Sequence, residues 1–308
     1  MITYLECEKG FSEIEEWHPG CWVKVVEPTQ EEMNILENHF GLPEDFLNDI
    51  SDVDERPRIE RNDGWICTII RIPITCDSDA AIPFITVPLG VMVKDDIIIT
   101  LCYYKNFLTT DFIDHTQKRN IDIKAAPDFI LRLLNSSAYW YLKDLRDVYR
   151  MVADAESELE QSIRNEDLLK IMNIQKSLVI FAAAISGNNI LMERLNRMYA
   201  GELDRELFED VSIELRQADT TAAIATQMLD RTLNTYASVI SNNVNAIMKR
   251  LTSISLILMI PTLIASFYGM NVDVGISMEN DWAFGAIAGV GLTLSVLTTF
   301  WLHKIKWL

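Results

Sequence analysis

The chain has no CxxC pair, no Gly-rich phosphate loop of Walker or Rossmann spacing, and no HExxH or nucleophile-elbow sequence. Its five cysteines, Cys7, Cys21, Cys67, Cys76 and Cys102, are expected to be reduced thiols rather than disulfides or zinc ligands. Nucleotide-driven chemistry has no loop to cradle a phosphate. His18, His39 and His115 stand isolated in sequence, so the expectation is a protein that is not an enzyme. Bases are scarce as well: 27 Lys and Arg face 45 Asp and Glu, a net charge of −18. Nucleic-acid binding requires clustered bases to neutralise phosphates, and this balance argues against it. An acidic surface suits a protein that handles cations. Met1 to Phe11 lacks both a basic start and an apolar core, and is not expected to be a signal peptide.

The most consequential absence is charge within two C-terminal runs. Leu251 to Asn271 and Trp282 to Leu302 each hold 21 residues without Asp, Glu, Lys or Arg. At 1.5 Å per residue such a helix is about 31 Å long, near the thickness of a bilayer's hydrocarbon core. Both are expected to cross a lipid bilayer, joined by an external loop, 272–281. Lys249 and Arg250 precede the first run, and His303, Lys304 and Lys306 follow the second. The loop carries only acids, Asp273, Glu279 and Asp281, so both termini are expected in the cytoplasm. Trp282, Trp301 and Trp307 suit interfacial anchoring.

Charge is concentrated in the first 250 residues, which read as two pieces. Residues 1–125 are expected to form a small cytoplasmic α/β domain. Its strands are Trp22 to Val26, Arg58 to Glu60, Trp65 to Pro73, Ile85 to Val93 and Ile97 to Cys102, with hairpin turns at Asn62-Asp63-Gly64 and Lys94-Asp95-Asp96. Thr29-Gln30-Glu31-Glu32 is a capping box opening a helix. Residues 126–250 show long helical periodicity: Asp128 to about Arg164, Asp167 to Met198, and Asp204 onward after the break at Ala200-Gly201-Glu202. A third helix unbroken from Asp204 to Tyr268 has 65 residues and extends about 97 Å. Helices of that length usually associate laterally, so a homo-oligomer is expected.

Along this third helix Asn245, Met248, Leu251, Thr252, Ser255, Met259, Thr262 and Ser266 recur at steps of three, four or one and share one stripe. Two readings fit. The stripe packs against a neighbouring helix, or it lines a pore in which hydroxyl and amide rings meet hydrated ions and Met and Leu rings act as constrictions. Pro261 removes one helical hydrogen bond inside the first span. Gly285 and Gly289 form a GxxxG pattern expected to pack against that span. Asn271 places a neutral carboxamide at the mouth, able to hold the water shell of Mg²⁺, an ion that dehydrates reluctantly.

Tyr268-Gly269-Met270-Asn271 at the end of the first of two C-terminal spans, the short loop after it and the Lys306-Trp307-Leu308 ending resemble the CorA family of divalent metal-ion transporters. Phe40-Gly41 and Glu55-Arg56-Pro57-Arg58 resemble the family's N-terminal domain, so the likeness covers essentially the whole chain. It implies an α+β membrane protein: a cytoplasmic α/β domain, long helices forming a funnel, two transmembrane helices and assembly as a homopentamer. It implies a selectivity filter at Gly269, Met270 and Asn271, and pore-facing positions at Asn245, Met248, Leu251, Met259, Thr262 and Asn271. It also implies closure by cytoplasmic Mg²⁺ bound between subunits at a pair matching Asp49 and Asp210. The implied activity is passive, potential-driven influx of Mg²⁺, with Co²⁺ or Ni²⁺ as further cargo, across the inner membrane. The alternative is the related ZntB branch, which carries Zn²⁺ with proton coupling. Two departures stand out: only His303, Lys304 and Lys306 replace the family's dense basic cluster, and Asn48 stands beside Asp49 where the family often carries an acid.

Overall fold

A computed structural model describes residues 1–77, 80–123, 125–161, 165–270 and 281–307. They form two compact units, Met1–Thr232 and Leu233–Leu308.

The first unit is built on a seven-stranded sheet. Its strands are β1 (Ile2–Cys7), β2 (Phe11–Ile14), β3 (Trp22–Val26), β4 (Arg58–Asn62), β5 (Trp65–Thr75), β6 (Phe84–Lys94) and β7 (Ile97–Cys102). They lie in the order β2-β1-β3-β7-β6-β5-β4, antiparallel throughout except for β3 beside β7. The five expected strands are all present. Two more, β1 and β2, precede them. Acids at Glu6 and Glu13 and the half-exposed pattern of these two strands, of which β2 is a sheet edge, hide the alternation from which a strand is read. Asp63 and Gly64 both take positive φ, 50° and 80°, as a two-residue hairpin joining strands of right-handed twist requires.

Side chains alternate between the two faces, and helices cover both. On one face α1 (Gln30–Asn38) and α2 (Glu44–Ser51) bring Leu36, Phe46, Leu47 and Ile50 against Val23, Val25, Trp65, Cys67, Ile69 and Ile99. Thr29 caps α1 as a full capping box with Glu32. On the other face lie α3 (Leu108–Arg119), α4 (Ala126–Gln161), α5 (Asn165–Met198) and the start of α6 (Arg205–Tyr268). There Phe11, Trp22, Phe112 and Phe129 form an aromatic cluster with ring centroids 4.9 to 5.9 Å apart. The result is a three-layer α/β/α arrangement. The break at Ala200-Gly201-Glu202 holds, with Gly201 at φ +93°. Asp204 is the cap of α6 rather than its first residue: its Oδ1 accepts from Glu206 N at 2.9 Å and Leu207 N at 3.3 Å.

Among the described residues three helical stretches are long and apolar enough to cross a membrane: Leu168–Met198, the apolar part of α6, and Phe284–Lys304. The first was not anticipated. It is a layer helix of the first unit, where Ile171, Ile174, Leu178, Phe181, Ile185, Leu191 and Leu195 are buried. Its polar groups hold strand backbone: Ser177 Oγ donates to Phe84 O at 2.9 Å, and Asn188 Nδ2 donates to Arg71 O at 2.8 Å.

In the second unit the end of α6 packs on α7 (Asp281–Lys304). The covered positions are Ser253, Ile257, Ile260, Pro261, Ile264 and Tyr268 on α6 and Gly291, Ser295 and Leu302 on α7. Pro261 has no N–H to give the Ile257 carbonyl. Ser295 Oγ stands 3.3 Å from that carbonyl and 3.0 Å from Gly291 O, so its one proton is shared between a freed acceptor and its own helix. A Cβ on Gly291 would sit 3.7 Å from Pro261 Cα, whereas Gly285 and Gly289 have nothing within 4 Å. The glycine beside the first span is therefore Gly291, and the GxxxG pair does not pack on it within the chain.

Candidate functional site

The stripe on α6 stands apart from its packed face. At 100° per residue, Asn245, Met248, Leu251, Thr252, Ser255, Met259, Thr262 and Ser266 centre about 170° from the positions that meet α7. All eight are exposed within the chain. Packing against the second span of the same chain therefore does not account for them. Two of the hydroxyls are committed: Ser255 Oγ donates to Leu251 O at 2.9 Å and Thr262 Oγ1 to Leu258 O at 2.8 Å. Once that proton is spent on the carbonyl four residues back, the oxygen presents only lone pairs outward. Such a surface accepts hydrogen bonds from water and repels anions.

At the end of α6, Gly269 N still donates to Ala265 O at 3.0 Å and Met270 N to Phe267 O at 3.4 Å. A Cβ on Gly269 would lie 3.3 Å from Ala265 O, a close approach that favours glycine. Met270 is half exposed. Asn271, Asp273 and Glu279 lie outside the described residues.

Asp49 is carried on α2 at the edge of the first unit, where Ile50 beside it anchors the helix in the core. Its Oδ2 accepts from Arg58 Nη2 at 2.6 Å. Arg58 also pairs with Glu55, and its Nε reaches Glu60 Oε2 at 3.1 Å. Burial, followed by Glu55, Glu60 and Asp45 as like charges, pushes the Asp49 carboxyl above its ordinary value against the pull of Arg58. The loop behind it is pinned from the core: the buried Arg71 donates through Nη1 to Glu55 O at 3.1 Å and to Val53 O. Asp210 is exposed on α6 beside the buried Val211. Among the described residues no three Asp, Glu, His or Cys gather as a metal cluster. Thus Asp49 has an arginine partner within the chain and Asp210 faces outward. Arg58 as a ligand of Asp49 was not legible in advance, since the pair meets only when α2 and β4 fold side by side.

The family model for CorA-like Mg²⁺ transporter proteins matches residues 19–304. The cobalt/magnesium transport protein CorA of Methanocaldococcus jannaschii is 24% identical over 322 residues, covering 100% of both chains. The solved structure of the complete CorA magnesium transporter from that organism superposes with a TM-score of 0.85 at 20% identity, covering 100% of this chain and 99% of that one. The ZntB cytoplasmic domain from Vibrio parahaemolyticus matches with a TM-score of 0.62 at 10% identity, over 79% of this chain and 98% of that domain. The match of one family model to nearly the whole length, on a fold shared from first strand to last helix, establishes that the chain belongs to the CorA-like Mg²⁺ transporter family.

Proposed function

We propose that this protein carries divalent cations, Mg²⁺ and Co²⁺ first among them, through a pore lined by the α6 stripe of several copies assembled as a homopentamer. The observation that carries this is the stripe itself: amide, hydroxyl, thioether and leucine side chains on a helix without charge from Leu251 to its end, turned away from the helix that packs on it. Hydroxyl lone pairs suit the outward hydrogens of an ion's water shell, while Met248, Leu251 and Met259 form rings that dewet when narrow. Asn271 at the mouth holds the hydrated ion, with Gly269 and Met270 shaping the turn. Influx needs no nucleotide. A membrane potential of 100 mV is worth about 4.6 kcal/mol for a doubly charged ion. The CorA of Methanocaldococcus jannaschii is named a cobalt/magnesium transport protein, and in its solved structure a magnesium transporter.

Regulation is assigned to Asp49 and Asp210 of neighbouring copies, bridged by Mg²⁺ when the cytoplasmic ion is abundant. An all-oxygen donor pair fits that hard cation. The metal must first exchange with Arg58, which holds Asp49 in the single chain. Closure then follows if the bridged form is the closed one, because a ligand shifts an equilibrium only by its differential affinity.

Uptake into proteoliposomes under an imposed inside-negative potential tests the pore. Asn271→Ala should abolish Mg²⁺ entry, and retained flux overturns the filter assignment. Repeating uptake with Zn²⁺, with and without a pH gradient, separates this from the proton-coupled Zn²⁺ reading. Asp210→Lys should remove Mg²⁺-dependent protection from proteolysis, and unchanged protection removes that residue from the sensing role.

A further inference from the structure

A cavity of about 520 Å³ opens in the first unit, between the end of β5, the start of α3 and one face of α4. Its wall includes Asp77, Lys105, Asn106, Phe107, Trp140 and Asp144. Asp144 is only 2% exposed, and its Oδ2 has no hydrogen-bond partner. One turn earlier on the same helix face, the indole Nε1 of Trp140 is also buried without a partner. A buried carboxylate oxygen without a donor is costly, and so is a buried N–H without an acceptor. Two groups of opposite sense, unmatched by the described residues, in one cavity wall mark a place where a polar ligand gains partners the protein does not supply.

The lining restricts what that ligand is. An inorganic divalent cation takes six or more oxygen ligands, whereas the carboxylates of this wall among the described residues are Asp144 and the exposed Asp77. Aromatic surface is plentiful instead. Phe107, 67% exposed, stacks on Trp140 with centroids 6.3 Å apart and planes 16° from parallel. The Trp140 ring already attracts a cation, the Lys143 ammonium 3.7 Å from its centroid. Asn106 is spent locally, its Oδ1 accepting from Thr109 N at 3.1 Å.

We infer that this cavity binds a small primary ammonium compound, an amino alcohol best of all. Its –NH₃⁺ donates to Asp144 Oδ2, its hydroxyl oxygen accepts from Trp140 Nε1, and its carbon chain lies against Phe107. Its lining includes none of the α6 stripe residues and not Asp49. Burial pushes the Asp144 carboxyl up to about 7, with Lys143 pulling it down and Asp147 pushing it further up. Asp77 and Lys105 are the other charged groups of the wall. Near neutral pH the acid is therefore partly protonated, and a bound ammonium, which favours the carboxylate, should release protons from it.

Isothermal titration of the full chain in detergent with ethanolamine tests this, in two buffers of different ionisation heat. Saturable binding with proton release is expected for the wild type. Asp144→Asn, isosteric and checked for folding by thermal unfolding, should weaken binding about tenfold or more and abolish the proton release. Trp140→Phe should weaken ethanolamine about threefold while leaving n-propylamine, which has no hydroxyl, unchanged. No saturable binding by the wild type would assign the cavity to solvent. Binding and proton release unchanged in Asp144→Asn would place the amine elsewhere, and either result overturns the proposal.

Discussion

The most apolar stretches of helices α5 and α7 have the same mean hydropathy, 1.6, and different surroundings. The most apolar stretch of α5 is 39% buried within its unit; that of α7 is 17% buried. Their polar residues explain the difference. Leu168–Met198 carries Lys170, Lys176, Glu193, Arg194 and Arg197, and its buried Ser177 and Asn188 are matched to strand backbone. Between Trp282 and Leu302, α7 has no charge, its hydroxyls bond back into its own helix, and Phe284, Leu292, Phe300 and Trp301 point outward. Mean hydropathy measures how much a helix wants to leave water. The placement of its polar groups says whether it leaves for a sheet or for lipid.

The sharpest way to break this comparison is a charge on α5. Leu178→Asp buries an unpaired carboxylate beneath the sheet and should cost more than about 4 kcal/mol, enough to unfold the first unit. Val179→Lys, one residue on but 58% exposed, should change stability by less than about 0.5 kcal/mol. Thermal unfolding followed by circular dichroism measures both. Equal damage from the two would mean that α5 is surrounded by apolar matter on every side, as a lipid-embedded helix is.

A smaller effect sharpens the role of its polar groups. Asn188 both accepts from Arg71 N at 3.0 Å and donates to Arg71 O. Asn188→Ala leaves the amide orphaned in the core, although Ser137 Oγ and Tyr141 Oη still reach the carbonyl at 3.2 and 3.1 Å. The loss should be about 2 kcal/mol in chemical denaturation. A neutral result would show that the Asn188 bonds do not help to hold α5 on the sheet.

What could be read in advance followed the range of the interaction. Uncharged runs, the Asp63-Gly64 hairpin and the Thr29 capping box are local signals, and each appears in the structure where the residues place it. The exposed stripe from Asn245 to Ser266 was likewise legible, because its period needs one helix only. Features made by two segments were not. Arg58 reaches Asp49 across nine residues and two elements, Arg71 ties two helices and a loop to one strand, and Ser295 reaches a carbonyl 38 residues earlier. The glycine pattern misled for the same reason. Gly285, Gly289 and Gly291 are equally suitable by composition, and only the position of Pro261 selects Gly291.

That selection leads to the smallest effect and the most specific one. If Ser295 is held because Pro261 frees the Ile257 carbonyl, the two residues are energetically coupled. Ser295→Ala should cost about 0.6 to 1.5 kcal/mol, the range of interhelical hydrogen bonds in membranes. Pro261→Ala restores the backbone donor four residues along, so Ile257 O no longer depends on the second helix. In that background Ser295→Ala should cost only a few tenths of a kcal/mol, since the hydroxyl keeps its bond to Gly291 O. A double-mutant cycle read from unfolding in mixed detergent isolates the difference. Equal cost in both backgrounds would mean that Ser295 serves its own helix, and that α6 and α7 meet by the fit of Gly291 against Pro261 alone.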